Sequence, residues 1–453
     1  MKKLIFFLAT ILTLQLASAQ KNQTQKKQLY EAATWELKII KNPASYQLPA
    51  PPDANKTKSE LASMKKNTID DKKMKEIVYW DAGPPSYRWN QIGPSLVTPV
   101  KYETLMRTPT AWMNLAIYDA TILAWKEKQK HKRNRPNLAD ASVKTLVATP
   151  ATHSYPCEHT LTAAAAAYVM GYFYPDKADS ILQLAKNAGQ SRIDAGVQYP
   201  SDVEAGWKLG EQVAKEVIEK AKQDGHALKT DAQINKDPKK WTGNFAMGLN
   251  LPKFSPIVLK SGDQFRPGPP PDFESEMKDL KNYKPNFKGN SLAYYWANNG
   301  GFDFWSEEAA KKLFEYRMSD DAPASARVYT TLHTAFHDAV IAIFDAKYAY
   351  WGIRPAQYDT TYKPLLMTPP FPGYPSGHAA GAATSCTVLE QLFPADAKYF
   401  RKLAQDCADS RFYAGIHFKS DNEVGLQLGK KIGIWVYNDF LNIDQLGSSA
   451  IKK

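Results

Sequence analysis

The sequence predicts an all-α fold of two tandem four-helix bundles, related by an internal duplication and joined by long Pro/Gly-rich connecting loops. Three observations carry this. One repeat offset holds across both halves, apolar residues in each half recur with helical period, and helix breakers cluster between them. Tyr118-Asp119-Ala120 corresponds to His337-Asp338-Ala339, an offset of 219 (338 − 119 = 219). The same offset relates Lys128 to Lys347, Arg135-Pro136 to Arg354-Pro355, Tyr155-Pro156 to Tyr374-Pro375, and His159 to His378. It continues through Ser191-Arg192 and Ser410-Arg411, Asp202 and Asp421, and Leu209-Gly210 and Leu428-Gly429.

In the second copy, Pro323 is a good first-turn residue, and residues 324–348 form one long apolar-periodic helix. Ser376 precedes a small-residue helix over residues 379–393, closed by Pro394. Residues 396–414 form a third helix, ending at Gly415 in a left-handed cap. Ser420-Asp421-Asn422-Glu423 reads as a capping box that opens the fourth, which runs to about residue 442. Four such helices imply a bundle, and two copies imply two bundles around an approximate two-fold axis.

The remaining segments follow from this frame. Residues 1–19 read as a signal peptide: Lys2 and Lys3, an apolar run over residues 4–16, then Ala17-Ser18-Ala19 with cleavage after Ala19. That run is short for a membrane span, and no later segment is apolar for long enough. The mature chain is expected to be secreted or periplasmic. Residues 20–96 form an N-terminal extension, whose Lys-rich part over 54–75 is a linker or an exposed helix. Residues 97–222 form the first bundle, 223–316 the connecting segment, 317–442 the second bundle and 443–453 a tail. In the connecting segment, residues 264–271 are too rich in proline for a helix, while Trp241, Phe265 and Trp296 favour an ordered wrap over the bundles.

Composition narrows the partners. Hydrophobic residues at 43% and charged residues at 23% exclude a disordered chain. Cys157, Cys386 and Cys407 are too few for a disulfide scaffold; Cys386 and Cys407 pair, or all three are buried thiols. The net charge of +12 is spread without an arginine–aromatic array, which argues against nucleic acid and fits small anions drawn into a positive cleft. Oligomeric state is not legible.

Three clusters of the second copy carry chemistry: Lys347 with Arg354-Pro355, then Pro375-Ser376-Gly377-His378, then Ser410-Arg411 with His417 and Asp421. Each residue type suits a tetrahedral oxyanion. Lys347 brings a point charge, and Arg354 and Arg411 bring planar forks. Ser376 and Gly377 stand at a helix start, where free N–H groups attract an anion, and Gly377 lets it approach the backbone. His417 is then the nucleophile or metal ligand, Asp421 fixes its tautomer, and His378 is the general acid. Singly, each has a structural explanation; together they do not.

These clusters resemble the three-part signature of the type-2 phosphatidic acid phosphatase and vanadium haloperoxidase superfamily, with no substitution at the eight residues from Lys347 to Asp421. The stretch over residues 369–378 and the tandem bundles resemble the haloperoxidase branch in particular. The resemblance implies vanadate as cofactor, with His417 on the metal and Lys347, Arg354, Ser376, Gly377 and Arg411 holding its oxygens. Hydrogen peroxide and a halide are then the substrates, with His378 and Lys347 assisting peroxide. In the phosphatase branch no cofactor is needed: His417 attacks a phosphomonoester and His378 protonates the leaving alcohol. A non-catalytic phosphate or vanadate binder is a third reading, though it leaves the two histidines unexplained. Similar haloperoxidases place halide-access residues near Phe371, and some carry Trp where Phe344 stands here, which leaves halide preference open. His337, on the helix of Lys347, is a further pocket residue or a core residue. In the first copy Gln198 replaces His417 and Cys157-Glu158 replaces Ser376-Gly377, so that copy is read as structural, its cations neutralised by Glu158.

Overall fold

A computed structural model describes residues 31–96, 106–228, 232–298 and 302–441. The predicted signal peptide, the junction at residue 97 and the tail from 443 lie outside these residues. Among the described residues every regular element is helical. The first half runs through α1 (Ala54–Lys65), α2 (Asp71–Asp81), α3 (Pro85–Ser95), α4 (Thr108–His131), α5 (Glu158–Phe173), α6 (Ala178–Asp194) and α7 (Pro200–Ala221). The second runs through α8 (Glu274–Asn282), α9 (Phe287–Asn298), α10 (Phe302–Glu315), α11 (Ala322–Tyr350), α12 (Gly377–Leu392), α13 (Ala397–Tyr413) and α14 (Lys419–Leu441).

Helices α4 and α11 are buried along most of their length, so each is central to its half. They also join the halves: the Thr330 hydroxyl on α11 donates to the Asn114 carbonyl on α4 at 2.8 Å. Helix α7 packs on α5, and α14 on α12, at closely matched places. The repeated Leu-Gly pair now has a cause. A Cβ on Gly210 would lie 2.3 Å from the Leu161 carbonyl oxygen, and one on Gly429 would lie 2.1 Å from that of Ala380. Only glycine permits that approach.

The duplication reaches further than the matched motifs. Asp119 on α4 accepts the backbone N–H groups of Lys38, Ile39 and Ile40 at 2.8, 2.8 and 2.9 Å. Asp338 on α11 accepts those of Ile257, Val258 and Leu259 at 2.7, 2.8 and 2.8 Å, again offset by 219 (257 − 38 = 219). The Tyr155 and Tyr374 hydroxyls donate to the carbonyls of Pro49 and Gly268, each at 2.7 Å. Trp80 stacks on Trp89 and Trp296 on Trp305, at ring separations of 5.8 and 6.4 Å, with an offset of 216 (296 − 80 = 216). The extension before the first copy and the segment between the copies are thus two versions of one outer layer.

Several local readings are sharpened. Residues 264–271 hold no helix, but the rest of the connecting segment includes α8, α9 and α10, with Trp241, Trp296 and Trp305 buried. The Lys-rich stretch forms α1 and the start of α2. Helix α14 begins at Lys419, so Ser420 is not its cap; Asp421, inside the first turn, takes that part by accepting the Phe418 N–H at 3.1 Å. Cys157, Cys386 and Cys407 are buried free thiols.

Candidate active site

Helix ends deliver the side chains. Lys347 lies in the last turn of α11, which stops at Trp351 in the left-handed region (φ 54). Arg354 follows on extended backbone, and Pro355 begins a single helical turn. Ser376 caps α12, so Gly377 and His378 are its first residues, with N–H groups that no helical carbonyl can reach. Arg411 closes α13, Gly415 turns the chain at φ 73, and His417 and Asp421 bracket the start of α14.

Lys347, Arg354, Ser376, Arg411, His417 and Asp421 are each at most 2% exposed. Gly377, His378 and Phe371 keep partial contact with solvent. The site is a buried cationic chamber with those three at its mouth. The Phe371 ring lies 5.2 Å from both the Lys347 ammonium and the Arg354 guanidinium, and 5.4 Å from the Phe344 ring.

Hydrogen bonding assigns the His417 tautomer. Its Nδ1 lies 2.9 Å from Asp421 Oδ2, and its Nε2 lies 2.9 Å from Arg354 Nη1. Arginine can only donate, so Nε2 carries the lone pair and Nδ1 the proton. An arriving oxyanion would draw Arg354 to itself and free Nε2. Lys347 Nζ donates to the carbonyls of Pro372 and Gly373 at 2.6 and 2.9 Å, which leaves one of its three protons for a ligand. Arg354 Nη2 is buried without a partner. Arg411 is braced by Nε to the Ser410 hydroxyl and by Nη2 to the Ala293 carbonyl, each at 2.9 Å.

Electrostatics agree. Burial, then Arg354, Lys347, His378 and Arg411, pull the His417 pKa well below its usual value, so all four groups act on one ring. Burial, then Arg411, Arg354 and Lys347, bring His378 down to about 3. Its partly open ring moderates that shift but not its direction. Burial lowers Lys347 well below the usual lysine value and Arg354 to about 10. Burial also raises Asp421 to about 7. Among the described residues none of Lys347, Arg354 and Arg411 is in an ion pair. Asp421 acts on Lys347 and Arg354 through space, but three buried cations outnumber it; such an excess is costly, and a bound anion lowers that cost.

The chamber therefore fits an oxyanion such as vanadate or phosphate. It offers an orphaned guanidinium nitrogen, a spare ammonium proton, a helix start and a histidine lone pair. A Cβ on Gly377 would meet Ile343 and Lys347 side-chain atoms at 3.7 and 3.8 Å, ordinary contact distances, so the backbone there is not crowded. His337 is not brought to this chamber. It stands ten residues before Lys347 on α11, about 15 Å along the axis, bonded to Asp338 at 3.1 Å. An open cleft of about 570 Å³ borders the link at Trp351, Gly352 and Ile353 but includes none of the eight residues. Helix α9 contributes what the sequence did not announce: the Ala293 carbonyl under Arg411 and the Trp296 backbone carbonyl, which accepts from the His378 ring. Backbone groups leave no residue signature.

Residues 110–222 match the PAP2 superfamily, and residues 395–444 match the VCPO second helical-bundle domain. The two matches fall on the two helical copies, the first on the earlier one and the second on the end of the later one. No curated protein sequence matches it. Among solved structures it is similar to the first bacterial vanadium-dependent iodoperoxidase. That match has 20% identity and a TM-score of 0.56, covering 86% of this chain and 98% of that one. It is also similar to a holo-type bacterial vanadium-dependent chloroperoxidase. There the identity is 15% and the TM-score 0.56, covering 77% of this chain and 95% of that one. The all-α fold is that of these proteins.

The first half shows the same plan filled from within. Glu158, first residue of α5, accepts from Lys128 Nζ and Arg135 Nη2, each at 2.8 Å, and from Gln198 Nε2 at 3.0 Å. Burial would raise its pKa, but Arg135 and Lys128 outweigh burial and hold it ionised. Arg192 pairs with Asp81 at 2.6 Å.

Proposed function

We propose that this chain is a vanadium haloperoxidase-like enzyme, oxidising halide with hydrogen peroxide at a vanadate held by His417. The observation that carries the reading is one chamber in which Lys347, Arg354 and Arg411 surround the His417 lone pair without carboxylate partners. When bound, vanadate supplies the Lewis-acid centre at which peroxide becomes able to oxidise halide. Lys347, Arg354 and Arg411, with the Ser376 hydroxyl and the Gly377 and His378 N–H groups, bind its oxygens. His417 presents Nε2, and Asp421 keeps the ring in that tautomer and orientation. His378, neutral at the mouth, takes a proton from incoming peroxide and returns it to a leaving oxygen. Phe371 and Phe344 exclude water beside the cations, which suits a weakly hydrated halide.

The PAP2 match over residues 110–222 favours a second reading, an acid phosphatase. There His417 Nε2 attacks phosphorus, giving a phosphohistidine, and His378 protonates the leaving alcohol. Export to a secreted or periplasmic location belongs with either reading; among the described residues no helix is long and apolar enough to cross a membrane.

Purified protein loaded with vanadate should halogenate a dye in the presence of peroxide and iodide, bromide or chloride. The parallel assay is hydrolysis of p-nitrophenyl phosphate. Hydrolysis that vanadate inhibits, without halogenation, would replace the first reading with the second. Oxyanion binding with neither reaction would leave a binding protein.

A further inference from the structure

We infer that the first half contains a second oxyanion cradle, which the Glu158 carboxylate occupies as a built-in ligand. Every cationic position of the second chamber has its counterpart: Lys128 for Lys347, Arg135 for Arg354 and Arg192 for Arg411. Lys128, Arg135 and Arg192 are at most 1% exposed. His159 matches His378, and both its ring nitrogens are buried without partners. Glu158 is the first residue of α5, where the helix dipole favours negative charge.

The contacts of Glu158 mark where a ligand's oxygens belong. Its two oxygens take Lys128 Nζ, Arg135 Nη2 and Gln198 Nε2. The matching atoms of the second half are the Lys347 ammonium, with a proton to spare, and the orphaned Arg354 Nη2. Residue 377, which matches Glu158, is glycine, and a Cβ there would make only ordinary contacts with Ile343 and Lys347. One half therefore encloses its own carboxylate where the other has none. Because Arg192 is already paired with Asp81, the emptied first cradle would rest on Lys128, Arg135, Gln198 and the α5 N–H groups. Its guest class is a small oxyanion, tetrahedral or carboxylate.

The test is Glu158→Gly in the full chain, titrated with inorganic phosphate by calorimetry and followed by thermal melting. The variant should bind one phosphate more per chain than wild type. It should melt lower than wild type in phosphate-free buffer, and phosphate should raise its melting temperature by more than it raises that of wild type. The difference between the proteins is what counts, so the outcome is independent of whether the second-half site binds. Equal stoichiometry, with no extra recovery, would overturn the inference. Glu158→Gln keeps the bulk and removes the charge; it should take up no extra phosphate, and an extra phosphate there would place the anion elsewhere and also overturn it. If Glu158→Gly does not fold in plain buffer, phosphate should restore a cooperative melt. No restoration, while Glu158→Gln folds, counts against the inference.

Discussion

The two halves share a frame and differ in where charge is closed. In the first, Glu158 neutralises Lys128 and Arg135, Asp81 neutralises Arg192, and Arg133 bridges Glu60 and Asp202. In the second, the matching positions are Gly377 for Glu158, Ala297 for Asp81 (297 − 81 = 216) and Gly352 for Arg133. Lys347, Arg354 and Arg411 persist, and the acidic partners of their first-half counterparts are gone. Asp421, relieved of an arginine partner, holds His417 instead. A pocket with an excess of buried cations and one whose cations are paired thus differ by a few side chains on equivalent helix ends. What distinguishes them is unpaired buried charge, held in place by a frame common to both.

The largest expected effect comes from making the second half resemble the first. His417→Gln copies Gln198, removing the lone pair while keeping similar bulk. Turnover in whichever assay is active should fall by about 10³-fold or more. The melting temperature should change little, since glutamine has similar bulk and its amide oxygen can accept from Arg354 Nη1 as the imidazole does. Retained turnover would remove His417 from the chemistry and reduce the two pockets to variants of one structural cluster.

The frame can be tested separately. Asp119→Ala and Asp338→Ala each strand three backbone N–H groups that the carboxylate now accepts. Unsatisfied donors of this kind are costly, so each variant should lose about 3 kcal/mol in denaturant unfolding. Similar losses are expected because the clamps are geometrically alike. A large loss in one and a negligible loss in the other would show that the outer layers support the halves unequally.

The clamps also show what the sequence reveals and what it hides. The four-helix copies were legible because their motifs need particular side chains: a lysine in the last turn of the first helix, an arginine just beyond it, and a histidine at the start of the second. All eight candidate residues gather at one chamber for that reason. Residues 38–40 and 257–259 carry no common motif, because Asp119 and Asp338 bind their backbone and are indifferent to their side chains. The stacked tryptophan pairs kept their spacing but shifted register by three residues (219 − 216 = 3), which breaks a gapless alignment. His337 looked like a pocket residue because it shares α11 with Lys347, yet ten residues of helix separate two places. The capping reading at Ser420 missed by two residues, because Phe418 precedes the helix and Asp421 serves both its N–H and His417, and a local pattern cannot show a shared carboxylate.

The smallest effect, and the one that most sharpens the comparison, is proton linkage. In the second half, burial and neighbouring cations keep both His378 and His417 below their usual pKa. A bound oxyanion offsets those cations and raises both values. Binding must then take up protons, and affinity must rise as pH falls through the range between the free and bound pKa values. Phosphate titrations near neutral pH, in buffers of different ionisation enthalpy, measure that uptake directly. His378→Gln should reduce it without abolishing binding. A cradle opened in the first half should show less uptake than the second, because Gln198 cannot titrate and only His159, itself held down to about 3 by burial and Arg192, can respond. Equal uptake in the two halves would mean that the protons come from the anion alone, and that the histidines of the second half are not tuned by the charge around them.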